Sequence, residues 1–127
     1  MPTTASPADR PTIHVVEDDA AVRRSLAFLL ESASFVVHVH ASASGFLETP
    51  AATGCLLVDY DMPGIGGLEL LRRLRLRGAG LPCIMITDKH TAGIRQAAQA
   101  AGAAAVIEKP FDSEELILAI QQALSES

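Results

Sequence analysis

Short apolar runs alternate with segments of helical periodicity along most of the chain. Runs rich in Val, Ile and Leu predict buried strands, whereas apolar residues that recur every three or four positions predict amphipathic helices. The predicted strands are 12–16, 35–40, 55–58, 81–86 and 104–107. The predicted helices are 19–33, a short one capped by Ser42, 68–77, 91–101 and one that begins at Asp112. This alternation is typical of an α/β domain, in which helices cover both faces of a parallel sheet.

Four polar clusters directly follow predicted strands. They are residues 17–19, Asp59, residues 87–89 and residues 108–110. The strands of a parallel sheet all end at the same edge, which is where α/β proteins keep their ligand sites. We therefore expect the four clusters to converge into one pocket.

The convergence would bring three carboxylates together, those of Glu17, Asp18 and Asp59. Like charges a few ångströms apart repel strongly in a partly buried cleft, so the site requires a cation. Oxygen ligands at a water-accessible edge suit Mg²⁺. Lys109 supplies a second positive charge, and Thr87 supplies a hydroxyl that can donate to an anion. This combination predicts phosphoryl transfer onto Asp59 as the nucleophile.

Composition narrows the class of protein. The 127 residues fit one domain, and the contents of 49% hydrophobic and 4% aromatic residues predict an aliphatic core. The net charge of -5 disfavours direct binding of nucleic acid, because phosphate backbones need a basic surface. Cys55 and Cys83 lie in apolar runs, which favours reduced core thiols. Since no segment approaches the roughly 20 apolar residues of a membrane span, we expect a soluble, cytoplasmic protein without membrane contact.

Residues 1–11 differ in composition from the rest of the chain. They contain three prolines together with Thr, Ser and Ala, a composition that resists packing. We interpret residues 1–11 as a flexible N-terminal leader and residues 12–127 as the folded domain.

Two histidines share one face of the second predicted strand. His38 and His40 have the spacing that places side chains on the same side of a sheet, as in half of a metal site. No third ligand is evident from the sequence, so an exposed sheet face is the favoured interpretation.

Four motifs carry a resemblance to a known family. They are VVEDD (15–19), LLVDYDMPGIGGLELL (56–71), IMIT (84–87) and EKPF (108–111). Over residues 11–125 the chain resembles the receiver domain of bacterial two-component response regulators, and VRRSLAFLL in the first helix resembles the FixJ-type subfamily. The resemblance implies a flavodoxin-like fold with sheet order 2-1-3-4-5. It also implies a role in transcription regulation, because FixJ-type members usually carry a helix-turn-helix domain after the receiver.

The same resemblance implies roles for the acidic residues. Asp59 matches the phosphoacceptor, and Asp18 matches a direct ligand of Mg²⁺. Glu17 matches an acidic position that usually acts through water, and the backbone carbonyl of Asp61 matches the third protein ligand.

The resemblance further implies the donor and the output. Thr87 and Lys109 match the residues that grip the phosphoryl group, and in the family the Lys109–Pro110 bond is cis. Such a module receives its phosphoryl group from a sensor histidine kinase. It is not an enzyme in the ordinary sense, although it assists its own phosphorylation and dephosphorylation. Its output face consists of the fourth helix, fifth strand and fifth helix, through which a homodimer could form.

Two positions depart from the family pattern. Asp88 stands where Gly or Ala is usual, and Val106 stands where Tyr or Phe is usual. A carboxylate beside Thr87 is expected to slow phosphorylation, unless Asp88 points to solvent and pairs with Lys89. Val106 has no ring to move inward when Thr87 closes on the phosphoryl group, so we expect weak switching.

Two other functions are compatible with the residues. Asp59-Tyr60-Asp61 also fits the D-x-D pattern of haloacid dehalogenase-like phosphatases, in which the first Asp is the nucleophile and the second a general acid. That family places the pattern after its first strand and needs a longer chain with a cap. The second alternative is a degenerate receiver that acts through unphosphorylated protein contacts.

Overall fold

The computed structural model describes residues 10–48, 53–88 and 92–126, in which five strands alternate with five helices. The strands are β1 (Thr12–Val16), β2 (Val36–His40), β3 (Cys55–Asp59), β4 (Cys83–Thr87) and β5 (Ala105–Glu108). The helices are α1 (Ala20–Ser32), α2 (Ala43–Glu48), α3 (Gly67–Leu76), α4 (Ala92–Ala100) and α5 (Ser113–Glu126). The predicted alternation is confirmed.

The strands form one parallel sheet in the order β2-β1-β3-β4-β5. This is the predicted order. The direction in which strands are added reverses between β1 and β3, and ligands of doubly wound sheets bind at such a reversal. The register pairs Asp59 with Ile86, and Thr87 with Glu108. The polar ends of β3, β4 and β5 therefore lie next to one another at the same edge.

Two apolar layers cover the sheet, one on each face. Successive residues of β3 enter opposite layers, because side chains alternate along a strand. Leu56 and Val58 pack on the α2, α3 and α4 side, whereas Cys55 and Leu57 pack on the α1 and α5 side. Within the described residues, Phe46 is the one aromatic among the largest fully buried side chains, so the aliphatic core is confirmed.

Both cysteines are core residues. Cys55 and Cys83 are free and buried, as the sequence predicts. Burial raises the pKa of each thiol to about 12, so neither is present as the reactive thiolate at neutral pH.

None of the helices in the described ranges is long and apolar enough to cross a membrane.

Side-chain caps fix the starts of three helices. The Asp19 carboxylate accepts hydrogen bonds from the backbone N–H groups of Ala21 and Val22, at 2.9 and 3.1 Å, so α1 begins just after Asp19. Ser42 caps α2 through the N–H of Gly45 at 3.0 Å, and Asp112 caps α5 through the N–H of Glu115 at 2.7 Å. The predicted caps at Ser42 and Asp112 are present.

The predicted start of β4 was two residues too early. Pro82 lacks an N–H group and cannot donate to the ladder, so regular pairing begins at Cys83. The carbonyl of Pro82 nevertheless accepts a hydrogen bond from the N–H of Leu56, at 2.8 Å.

A glycine-rich turn brings α3 directly against the end of β3. The N–H of Gly67 donates to the carbonyl of Tyr60 at 3.3 Å. A Cβ atom on Gly67 would lie only 2.6 Å from the carbonyl oxygen of Asp59, which leaves room for glycine alone. Gly64, with φ of 74°, makes the preceding bend. This turn holds the backbone on which Asp59 is presented.

Arg75, in the last turn of α3, has a structural role. Its guanidinium donates to the carbonyls of Ala79 and Leu81, at 2.9 and 3.0 Å, and to that of Gly102, at 3.0 Å. Arg75 therefore joins the loops that precede β4 and β5.

Candidate functional site

Three carboxylates meet at the carboxyl edge of the sheet. Glu17 and Asp18 directly follow β1, and Asp59 is the last residue of β3. Each offers an oxygen, and these oxygens all lie within 4.8 Å of one another. Glu17 and Asp59 are 3% and 7% exposed, whereas Asp18 is open to solvent. The predicted convergence is confirmed, and one side of the cluster faces water.

The two oxygens of Asp59 contact different donors. Oδ1 accepts a hydrogen bond from the backbone N–H of Asp61, at 2.9 Å. Oδ2 lies 3.4 Å from the ammonium of Lys109, which comes from the loop after β5. The backbone N–H of Lys109 donates to the carbonyl of Thr87 at 2.8 Å, and the Lys109–Pro110 peptide is cis, as expected. The loop after β5 is thereby attached to the end of β4.

The pKa of the Glu17 carboxyl reflects its burial and the negative charge around it. The pKa of its carboxyl is raised from about 4.5 to about 7, mainly by burial and also by the neighbouring Asp59 and Asp18. The N–H of Asp19 donates to Glu17 Oε2 at 3.1 Å and acts in the opposite direction. A bound cation would offset this negative charge and favour the ionised form of Glu17.

Arg23 is a site residue that the sequence did not reveal. From the first turn of α1 its guanidinium donates to the carbonyls of Glu17, at 2.7 Å, and Asp18, at 3.4 Å. It holds the loop that presents both carboxylates. No spacing rule connects an arginine on a helix to the backbone of a preceding loop, so the contact could not be found from the pattern.

The residues on the β4 side differ in their access to the site. Thr87 ends β4 and is 1% exposed, whereas Asp88, the next residue, is exposed. Val106 of β5 pairs in register with Met85 and is buried in the layer beside α4. The possible partner of Asp88, Lys89, lies outside the described residues.

The donor set fits a hard divalent cation. It consists of carboxylate oxygens alone, one of them open to solvent, and Mg²⁺ prefers oxygen ligands while keeping several waters. Asp61 lies in the loop after β3, two residues beyond Asp59, and its carbonyl was expected as a further ligand.

A model of the response regulator receiver domain matches residues 13–121. The chain belongs to this family. The receiver is 45% identical over 117 residues to the transcriptional regulatory protein FixJ of Azorhizobium caulinodans, a match that covers 91% of this chain and 56% of that protein. The FixJ protein of Rhizobium meliloti is 40% identical over 114 residues, covering 88% of this chain and 56% of its own.

Solved structures agree with this assignment. The crystal structure of FixJ-N superposes with a TM-score of 0.87 at 38% identity, covering 94% of this chain and 97% of the other. The full-length FixJ from B. japonicum gives a TM-score of 0.85 at 36% identity, covering 91% of this chain and 58% of the other. The chain therefore spans little more than half the length of the regulators it resembles.

These comparisons confirm the predicted family and identify a receiver of the FixJ type, consistent with phosphorelay signalling. They do not favour the two alternative functions. The D-x-D pattern of the phosphatase hypothesis stands at the end of β3 rather than after the first strand. The receiver is not an enzyme in the ordinary sense.

The raised pKa of Glu17 generates a test in metal-free protein. Because folded Glu17 holds its proton up to about pH 7 while the unfolded group loses it near pH 4.5, its contribution to stability falls as pH rises through this window. The free energy of unfolding of Glu17→Gln, minus that of the parent, should therefore increase between pH 4.5 and 7. Urea denaturation in EDTA measures this difference, and a difference that does not vary with pH would contradict it.

Proposed function

We propose that this receiver accepts a phosphoryl group on Asp59 from a sensor histidine kinase, in a Mg²⁺-dependent reaction. The observation that carries the proposal is the setting of Asp59. Its carboxylate is buried between the ammonium of Lys109, at 3.4 Å, and the oxygens of Glu17 and Asp18. A carboxylate held beside both a cation and a divalent-metal site is equipped to attack phosphorus rather than to fill a core.

The metal would be held by Asp18, Asp59 and the carbonyl of Asp61, with Glu17 acting through water. When bound, Mg²⁺ supplies positive charge for the phosphoryl oxygens. An Asp59 oxygen forms the new bond to phosphorus in line with the bond that breaks, and the imidazole nitrogen of the kinase leaves with that electron pair. Asp59 keeps one oxygen in the hydrogen bond from Asp61 N–H, which orients the carboxylate for this attack.

Two further residues act on the transferred group. Lys109 exchanges its contact with the Asp59 carboxylate for a contact with a phosphoryl oxygen, so the lysine is paired before and after transfer. The Thr87 hydroxyl donates to another phosphoryl oxygen. By positioning Asp59 and offsetting charge, the receiver assists its own phosphorylation and, with water as the attacking group, its dephosphorylation.

The output in this proposal leaves through α4, β5 and α5. α4 is lightly anchored, because Ala98 is the one buried residue among its described side chains. Arg95 of α4 donates to the carbonyl of Val106 and to the carboxylate of Glu108, both at 3.2 Å. A movement of Thr87 towards the phosphoryl group displaces β5 as well, since Thr87 and Glu108 are paired in register. The altered face then binds a partner or a second copy.

The wider setting follows from the same assignment. We propose residues 12–127 as the receiver, residues 1–11 as a leader, and the cytoplasm as the location. The FixJ relatives are named as transcriptional regulators, so the output we propose is regulation of transcription, without direct contact between this domain and nucleic acid.

If Asp59 is the phosphoacceptor, its substitution should remove the phosphoryl label from the protein. Asp59→Asn should abolish acid-labile labelling by acetyl phosphate or a cognate kinase, because the amide is not a nucleophile for phosphorus. Asp112→Asn is the matched control, since Asn caps a helix as well as Asp and the residue lies at the start of α5. Labelling measured by intact-protein mass should persist in this control. Undiminished label on Asp59→Asn would end the assignment.

The exposed Asp88 predicts a salt-dependent rate of phosphorylation. An incoming phosphodonor carries about two negative charges and meets repulsion from this carboxylate, which salt screens over about 10 Å at 0.1 M. Asp88→Gly should react with acetyl phosphate a few-fold faster at low salt, about the effect of removing 1 kcal/mol of Coulomb repulsion. The advantage should narrow as salt rises.

A second variant separates charge from bulk at the same position. Asp88→Asn keeps the size of the side chain and removes its charge, so it should share the salt-dependent part of the gain. Equal rates for parent and both variants at low salt would show that Asp88 does not control access to the site.

A further inference from the structure

A second cluster of metal-ligating side chains lies on the sheet, away from Asp59. His14 of β1 and His38 of β2 are partners in the parallel register, and His40 follows two residues later on the same face. The His14 ring centroid lies 5.5 Å from that of His38 and 6.3 Å from that of His40. The sequence interpretation of an exposed face was incomplete, because the third imidazole comes from the neighbouring strand.

The hydrogen bonds of His14 leave one of its nitrogens available. His14 Nε2 lies 3.0 Å from the carbonyl oxygen of Thr53. A carbonyl only accepts, so Nε2 carries the hydrogen, and the lone pair of the neutral ring is on Nδ1. Metal-bound histidines usually donate their other N–H to such a carbonyl, which fixes the orientation of the ring. His14 has this arrangement already.

One ring nitrogen of His40 lacks a hydrogen-bond partner among the described residues. This atom, Nε2, is buried. The ring packs edge-on against Phe46 of α2, with centroids 5.0 Å apart, so its apolar part is covered while this nitrogen is not satisfied. A buried polar atom without a partner costs free energy, and a bound ion would remove that cost.

The surroundings of His14 and His40 favour the form of the ring that binds metal. Burial lowers the pKa of both His14 and His40 from the ordinary value, and the neighbouring histidines act in the same direction. A lowered pKa favours the neutral form of these two rings, and neutral imidazole is the ligand form.

We propose that His14, His38 and His40 form a site for a borderline transition-metal ion such as Zn²⁺, distinct from the acidic cluster around Asp59. With Zn–N bonds of about 2 Å, the centroids of two tetrahedral imidazole ligands lie roughly 5–6 Å apart. The observed 5.5 and 6.3 Å are close to this range. Among the described residues, the group with ligand atoms already within 4.8 Å is the acidic one, so the imidazoles must rotate to close on an ion. His38 is exposed, which leaves space for its ring to turn.

The two sites differ in ligand chemistry and so in ion preference. Imidazole nitrogens suit Zn²⁺, Ni²⁺ and Cu²⁺, whereas carboxylate oxygens suit Mg²⁺. The sites are also connected, because the N–H of Glu17 donates to the carbonyl of His40 at 3.1 Å. An ion at the histidines would restrain the end of β2 against the backbone that carries Glu17.

The experiment is calorimetric titration of the untagged receiver with ZnCl₂ in excess Mg²⁺, which occupies the acidic cluster. We expect one Zn²⁺ per chain for the parent. His38→Gln and His40→Gln should each weaken binding at least about tenfold, since each removes a direct ligand. His90→Gln changes the remaining histidine of the chain, at a position outside the described residues, and should bind as the parent does. Asp59→Asn should also retain the site.

Three results would overturn the proposal. They are no binding of Zn²⁺ to the parent, parental affinity in both His38→Gln and His40→Gln, and loss of binding in Asp59→Asn. Circular dichroism establishes that each variant is folded. Because His38 is exposed, its substitution should disturb the fold least. Imidazole ¹⁵N spectra of the parent give an independent readout, in which Zn²⁺ should shift the ring nitrogens of the three cluster histidines and leave those of His90 unchanged.

Discussion

The mutual repulsion of Glu17, Asp18 and Asp59 is the constraint on which the functional edge depends. The parallel sheet forces the ends of β1 and β3 together, and it places two of these carboxylates almost entirely out of water. The carboxylates cannot be moved apart or exposed to water without disrupting the buried residues that β3 contributes to the core. Part of the repulsion is relieved because Glu17 holds its proton up to about pH 7, and Lys109 offsets part of the remaining charge. A cation bound by the three carboxylates would offset the rest.

The contacts that support the site involve backbone groups more than side chains. Arg23 binds the loop after β1, the N–H of Asp61 orients Asp59, and Gly67 lets α3 begin against the end of β3. The same device recurs away from the site, where Arg75 joins two loops through their carbonyls. Rigid support on this side contrasts with α4, which is held by Arg95 and little buried surface. In the proposed mechanism, this asymmetry favours movement on the α4 side when Thr87 responds to a phosphoryl group.

Much of the fold and the acidic site could be predicted because both depend on periodicity and strand ends. An apolar run that stops at Asp59 marks the edge of the sheet, and helical spacing with Ser42 or Asp112 marks a helix start. The contacts of Arg23 could not, since they depend on how α1 lies against the loop after β1. The third histidine of the β1–β2 cluster could not, since it depends on the register of β1 against β2. The predicted start of β4 was wrong because it followed the apolar run alone, although Pro82 has no N–H to donate to the ladder.

The central claim is that the carboxylate cluster is a metal site, and the most direct test is the affinity of the receiver for Mg²⁺. Isothermal titration should give one ion per chain for the parent and an affinity at least about tenfold weaker for Asp18→Asn, which removes one of few charged ligands. Asp112→Asn, which changes an aspartate that caps α5, should bind as the parent does. Unchanged affinity in Asp18→Asn, or an equal loss in Asp112→Asn, would contradict the account.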